Sequence, residues 1–116
     1  MPSNLNHIGT STFENCKNLK EILLPDTLSS IGENAFKGCS VLKAINIPGN
    51  VKEIGDSAFE ECVSLDEITI PHSIVLGKGV FCSCTALKTV IFEADPELSK
   101  IPNYAFENCI RLTSVT

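Results

Sequence analysis

The sequence predicts an α/β solenoid, with a short parallel β-sheet on one face and short helical turns on the other. Two observations carry this. Phenylalanine recurs at Phe13, Phe36, Phe59, Phe81 and Phe106, with steps of 23, 23, 22 and 25 residues. Cysteine (Cys16, Cys39, Cys62, Cys84, Cys109) and leucine (Leu19, Leu42, Leu65, Leu87, Leu112) keep the same steps. A β-branched residue follows each leucine three positions later, at Ile22, Ile45, Ile68, Val90 and Val115. Self-similarity at such a period marks units that cannot bury their apolar face alone and must stack.

Each unit divides into two local structures. The A-F-x-x-C portion places apolar residues at i, i+3 and i+4, which puts Ala35, Phe36 and Cys39 on one face of a helical turn. Ser11, Asn34, Ser57 and Gly79 precede this portion and suit an N-cap, with Tyr104 as the exception. The I-x-I-P portion alternates with period two, as in Ile45-Asn46-Ile47, and reads as a strand ended by Pro25, Pro48 or Pro71. A trailing apolar column (Leu5, Leu28, Val51, Ile74, Leu98) adds one inward side chain before the next unit. Glycine opens four units at Gly9, Gly32, Gly55 and Gly77, each after Ile8, Ile31, Ile54 or Leu76. If those glycines adopt positive φ, Pro102 in the fifth unit breaks the pattern.

The unit I-G-x-x-A-F-x-x-C-x-x-L-x-x-I-x-I-P resembles the leucine-rich repeat in its 23-residue, BspA-like (Treponema-type) form, from Leu5 to Val115. The resemblance implies a right-handed superhelix and a setting at the cell surface or in the secreted fraction, as in bacterial and protozoan surface proteins. Residues 1–116 are expected to form a single domain of about five repeats of 22–25 residues, cut from a longer array. Uncapped ends raise the prospect of end-to-end self-association.

Composition narrows the function. The net charge of −5 and the scattering of nine basic residues among acidic neighbours argue against nucleic acid as a partner. No apolar run is long enough to span a bilayer, and the N-terminus has no signal-peptide pattern. No phosphate-binding loop, nucleophile elbow or zinc-protease motif occurs, so no enzyme activity, metal or other cofactor is expected.

The cysteines are the remaining chemistry. Equivalent parallel side chains do not converge on one another, and five rungs leave one unpaired, so buried reduced thiols are favoured over inter-repeat disulfides or a metal site. Cys82 lies outside the column, aligned with Lys37 and Glu60, and is expected to be the surface thiol. With Cys84 it forms a C-x-C pair, but His7 and His72 are badly placed as further ligands.

The surface then carries the function. Two columns face outward from the strands: Glu21, Ala44, Glu67 and Thr89, and Leu23, Asn46, Thr69 and Ile91. The resemblance implies that this sheet face docks a protein ligand, a host or matrix protein. A non-enzymatic interaction or adhesion module is the leading reading, and a structural spacer with no ligand of its own is the alternative. The segment Phe92–Lys100 holds five residues between Phe92 and Leu98 where other units hold three, with Glu93, Asp95 and Glu97 forming an acidic loop.

Overall fold

The computed structural model describes residues 5–71, 74–93, 104–109, 112, 114 and 115. Successive units form coils stacked along one axis. Two parallel sheets run along the stack, the first over the earlier coils and the second over the later ones. The first contains β1 (His7–Ile8), β2 (Ser30–Ile31), β3 (Glu53–Ile54) and β5 (Val75–Leu76), in that spatial order. The second contains β4 (Glu67–Ile70), β6 (Thr89–Phe92) and β7 (Ser114–Val115).

The sequence reading anticipates the second sheet but not the first. Strands of two residues, such as Ser30–Ile31, are too short to show an alternation. Their register pairs equivalent positions: Ile8 with Ile31, Ile31 with Ile54, and Ile54 with Leu76. In the first two units the expected strand at Ile45-Asn46-Ile47 keeps its alternation, with Ile45 and Ile47 buried and Asn46 exposed, yet forms no ladder. Along this segment, among the described residues, the backbones of adjacent coils meet in the long bonds Lys43 N–H to Lys20 O, 3.3 Å, and Asp66 N–H to Lys43 O, 3.4 Å.

The expected helical turns are also corrected: no described residue is helical. Each coil instead makes a series of tight turns whose amides alternate in direction. Thr12, Glu14 and Cys16 donate back three residues, to Gly9, Ser11 and Phe13. Ser11, Phe13 and Asn15 donate along the stack, to the carbonyls of Glu33, Ala35 and Lys37 at 2.8, 2.8 and 2.7 Å. A helix would satisfy all of these amides within itself. Two positions per coil prevent one by adopting positive φ: Ser11, Asn34, Ser57, Gly79 and Tyr104, then Asn15, Gly38, Glu61, Ser83 and Asn108, all between 56° and 74°. The first set contains the residues expected as N-caps. Their role is left-handed geometry, which glycine and asparagine adopt at least cost.

Packing follows from the stacking. The five phenylalanine rings pile up with centroids 5.3, 5.3, 5.6 and 5.7 Å apart and planes within 15° of parallel. Those separations exceed the thickness of a ring, so the stack is offset, the arrangement that ring quadrupoles favour. Phe36, Phe59 and Phe81 are fully buried, together with Leu28, Leu42, Leu65, Leu87 and the β-branched column at Ile68 and Val90. Of the acidic loop, only Glu93 is described; it is exposed and donates its amide to Ile70 O at 3.0 Å. His72, Asp95, Glu97, Leu98 and Pro102 lie outside the described residues.

The glycine column is explained by proximity rather than by positive φ. A Cβ on Gly32 would sit 2.8 Å from Gly9 C and from Thr10 N, and one on Gly55 would sit 2.6 Å from Glu33 N. Backbone cannot yield to such contacts as a flexible side chain can. Gly9 is the exception, since its Cβ would meet only Thr12 Oγ1, at 3.5 Å. Gly55→Ala is therefore expected to destabilise the fold by about 1–3 kcal/mol, the usual range for overpacking, while Gly9→Ala changes stability by less than about 0.5 kcal/mol. Urea midpoints of the two variants check this.

Candidate binding surface and the thiol ladder

The outward columns named from the sequence lie on one face of the stack. Glu21, Leu23, Ala44, Asn46 and Glu67 are exposed, while Thr69, Thr89 and Ile91 are half-buried. Where the ladder is closed, register brings Glu67 beside Thr89 and Thr69 beside Ile91. Ile22, Ile45, Ile68 and Val90 point the other way, into the core. Leu23 is 85% exposed. Ile91, expected to be an equally open apolar residue, is half-buried, with Thr69 of β4 beside it in register.

Three exposed apolar side chains escaped the sequence reading. Val75, 63% exposed, sits on the outer side of the first sheet, and Tyr104 is 65% exposed. Val63 is also open. A strand only two residues long gives no alternation from which the outward position of Val75 could be read. Tyr104 lines a shallow groove with Ser57, Glu60, Lys78, Gly79, Cys82 and Glu107. On the first sheet, His7 Nδ1 lies 2.6 Å from Ser30 Oγ. His7 and Ser30 are neighbours because β1 and β2 pair them in register. Glu53 flanks Ser30 on the far side, not His7, so among the described residues no carboxylate orients the imidazole as a hydrolytic triad requires.

The cysteine column does more than fill space. All six cysteines are free. Cys39 Sγ donates to Phe13 O at 3.1 Å, Cys62 to Phe36 O at 3.2 Å, Cys84 to Phe59 O at 3.0 Å and Cys109 to Phe81 O at 3.2 Å. Each of these carbonyls also accepts the amide of the cysteine in its own coil, as Phe36 O does from Cys39. The thiol thus caps a second lone pair in the core, which alanine or valine could not do. Burial pushes the Cys62 thiol from its ordinary value of 9.0 up to about 12, and raises Cys39, Cys84 and Cys109 as well. Such thiols are poor nucleophiles, because the thiolate is the reactive form.

Cys82 and Cys84 face opposite ways. Cys84 is fully buried, whereas Cys82 is half-buried beside Ser83 Oγ at 3.7 Å, so the C-x-C pair cannot act as one chelate. Among the described residues no three histidine, cysteine or acidic side chains gather where they could hold a metal. Among the same residues no helix is long and apolar enough to cross a membrane.

The BspA type Leucine rich repeat region (6 copies) family model matches residues 1–116. The chain belongs to the BspA-type leucine-rich repeat family. Its solenoid is similar to the crystal structure of the T. pallidum leucine rich repeat protein TpLRR, with 32% identity and a TM-score of 0.84 over 99% of this chain and 56% of that one. It is similar also to a leucine rich cell surface protein from Faecalibacterium prausnitzii, with 30% identity and a TM-score of 0.85, covering 99% of this chain and 30% of the other. The Pneumococcal vaccine antigen PcpA matches 78% of the chain, and 23% of its own, at 26% identity and a TM-score of 0.75. No curated protein sequence matches. The chain therefore spans about half, or less, of the solved BspA-type relatives named here. Leucine-rich repeat proteins are typically non-enzymatic binding modules, and the family generally mediates protein–protein interaction or surface adhesion.

Two measurements follow for the thiols. The stability gained by keeping Cys62 protonated is fully present below pH 9.0 and is lost as pH rises toward 12, because only the unfolded chain releases the proton in that window. Urea unfolding of the wild type is expected to weaken above pH 9.0, by at most about 1.4 kcal/mol per pH unit for each thiol, and less steeply in Cys62→Ala. In native thiol-reagent labelling, Cys82 and the half-buried end residues Cys16 and Cys109 are expected to react first. Cys39, Cys62 and Cys84 should react only as fast as the chain opens. Equal rates for all six would contradict the ladder.

Proposed function

We propose that the chain is a non-enzymatic interaction or adhesion module that docks a protein ligand on the sheet face carrying Glu21, Leu23, Ala44, Asn46, Glu67, Thr69, Thr89 and Ile91. The observation that carries this reading is the exposure of Leu23, 85% open on a face whose other side chains, apart from the half-buried Ile91, are small or polar. An open apolar anchor with a polar surround is the usual make-up of a protein-binding patch. At Glu67, Thr69, Thr89 and Ile91 the face is held by a closed ladder between β4 and β6, so little conformational entropy is lost on docking there.

A bacterial surface or secreted setting, with a host or matrix protein as ligand, fits the F. prausnitzii relative described as a cell surface protein. The spacer reading predicts the same fold with no dependence of binding on this face. The double substitution Leu23→Glu, Asn46→Glu separates the two. Binding of the protein to a panel of immobilised extracellular-matrix proteins is expected to fall by about tenfold or more with circular dichroism unchanged, the loss typical when a central anchor is removed. Unaltered binding would favour the spacer.

A further inference from the structure

We propose that the outer face of the first sheet docks an extended, basic segment of a partner protein, separately from the face that bears Leu23. A groove of about 480 Å³ runs along this face from the second coil to the fourth, over the glycine column where neighbouring backbones touch. Glu33, Glu53 and Asp56 line it and are exposed. Among the described residues no lysine, arginine or histidine lines it. The Glu33 and Glu53 carboxylates have no partner among the described residues. Asp56 accepts only the Lys78 amide, on Oδ1 at 2.8 Å. Lys78 itself lines the shallow groove beside Tyr104 instead.

The spread of these charges selects an extended ligand over a compact one. Among the described residues no three acidic, histidine or cysteine side chains gather where they could hold a metal. Glu33 and Asp56 hold equivalent positions one coil apart, and Glu53 stands beside Ser30 in register. With coils about 4.8 Å apart, the groove extends roughly 10 Å, which about three residues of extended chain would cover. Like charges lining one cleft reinforce each other's field, which attracts a cation and repels phosphate groups and anionic membranes. Arginine fits best, because its guanidinium forks onto a carboxylate with two parallel hydrogen bonds. Val75, 63% exposed and paired with Glu53 in register, adds an apolar contact at one end. An arginine next to an aliphatic side chain therefore matches the face. Lys100, which continues the Glu53 and Val75 column in the sequence, lies outside the described residues.

The probe is a synthetic peptide of alternating arginine and valine with blocked ends, titrated into the isotope-labelled chain and followed by amide chemical shifts. Saturable shifts are expected at Gly32, Glu33, Glu53, Gly55 and Asp56, and they should fade as salt is added, because exposed charges are screened. The double variant Glu33→Gln, Glu53→Gln removes two carboxylates that no described residue depends on, so its melting curve stays that of the wild type. Its affinity for the peptide is expected to fall by about threefold to tenfold, the range for two exposed ion pairs. The double variant Asp26→Asn, Glu61→Gln makes the same change in net charge at exposed positions that do not line the groove. It is expected to bind the peptide as the wild type does. No saturable shift, shifts spread over acidic residues outside the groove, or equal effects of the two double variants would each overturn the proposal.

Discussion

The coils of this solenoid approach until their backbones touch, and most other features of the chain follow from that approach. Amides directed along the stack, such as Phe36 N–H to Ala58 O at 2.8 Å, hold adjacent coils at hydrogen-bond distance over the turn side as well as in the two sheets. At that spacing no Cβ fits in the glycine column. Phenylalanine rings are brought into offset stacking, and a thiol reaches the carbonyl of the previous coil. The repeat in the sequence is the record of this single constraint applied once per coil.

Bonding along the stack also decides what the turns can be. A helix would turn every amide inward along its own axis, leaving neighbouring coils joined by packing alone. By placing a left-handed residue before the alanine and another before the cysteine, the chain sends every second amide to its neighbour. The conformational cost falls on Ser57, Glu61 and Tyr104, which lack the tolerance of glycine for positive φ. At Gly79, where the sequence departs from the polar residue used elsewhere, the departure relieves that cost: its φ is +62°.

This explains what was legible in the sequence and what was not. Burial is set by side-chain type and recurs in register, so the phenylalanine, leucine and β-branched columns were readable from spacing. Backbone direction is not written in side-chain type. Asn34 suits both an N-cap and a left-handed turn, and only the stacked neighbour selects the second. The first sheet was invisible because its strands hold two residues each. The thiol donors were invisible because a cysteine that packs and a cysteine that donates look alike in a string of letters. On the candidate face, alternation gave the side on which Ile91 lies but not its half-burial, since its partner in register, Thr69, lies one coil away.

The same constraint separates residues bound by the fold from residues free of it. A position facing a neighbouring coil must repeat, since its partner is itself one period away. A position facing solvent has no such partner. The column Glu14, Lys37, Glu60, Cys82, Glu107 changes charge and chemistry at almost every step, while the Cys39, Cys62, Cys84 column never changes. Cys82 is tolerated because nothing in the stack depends on it, and Cys84, two residues away, is fixed because Phe59 O depends on its thiol. The proposed docking face accordingly draws on columns that break the period. Leu23, the open apolar side chain in a column otherwise continued by Asn46, Thr69 and Ile91, is where the sheet face departs furthest from its own repeat.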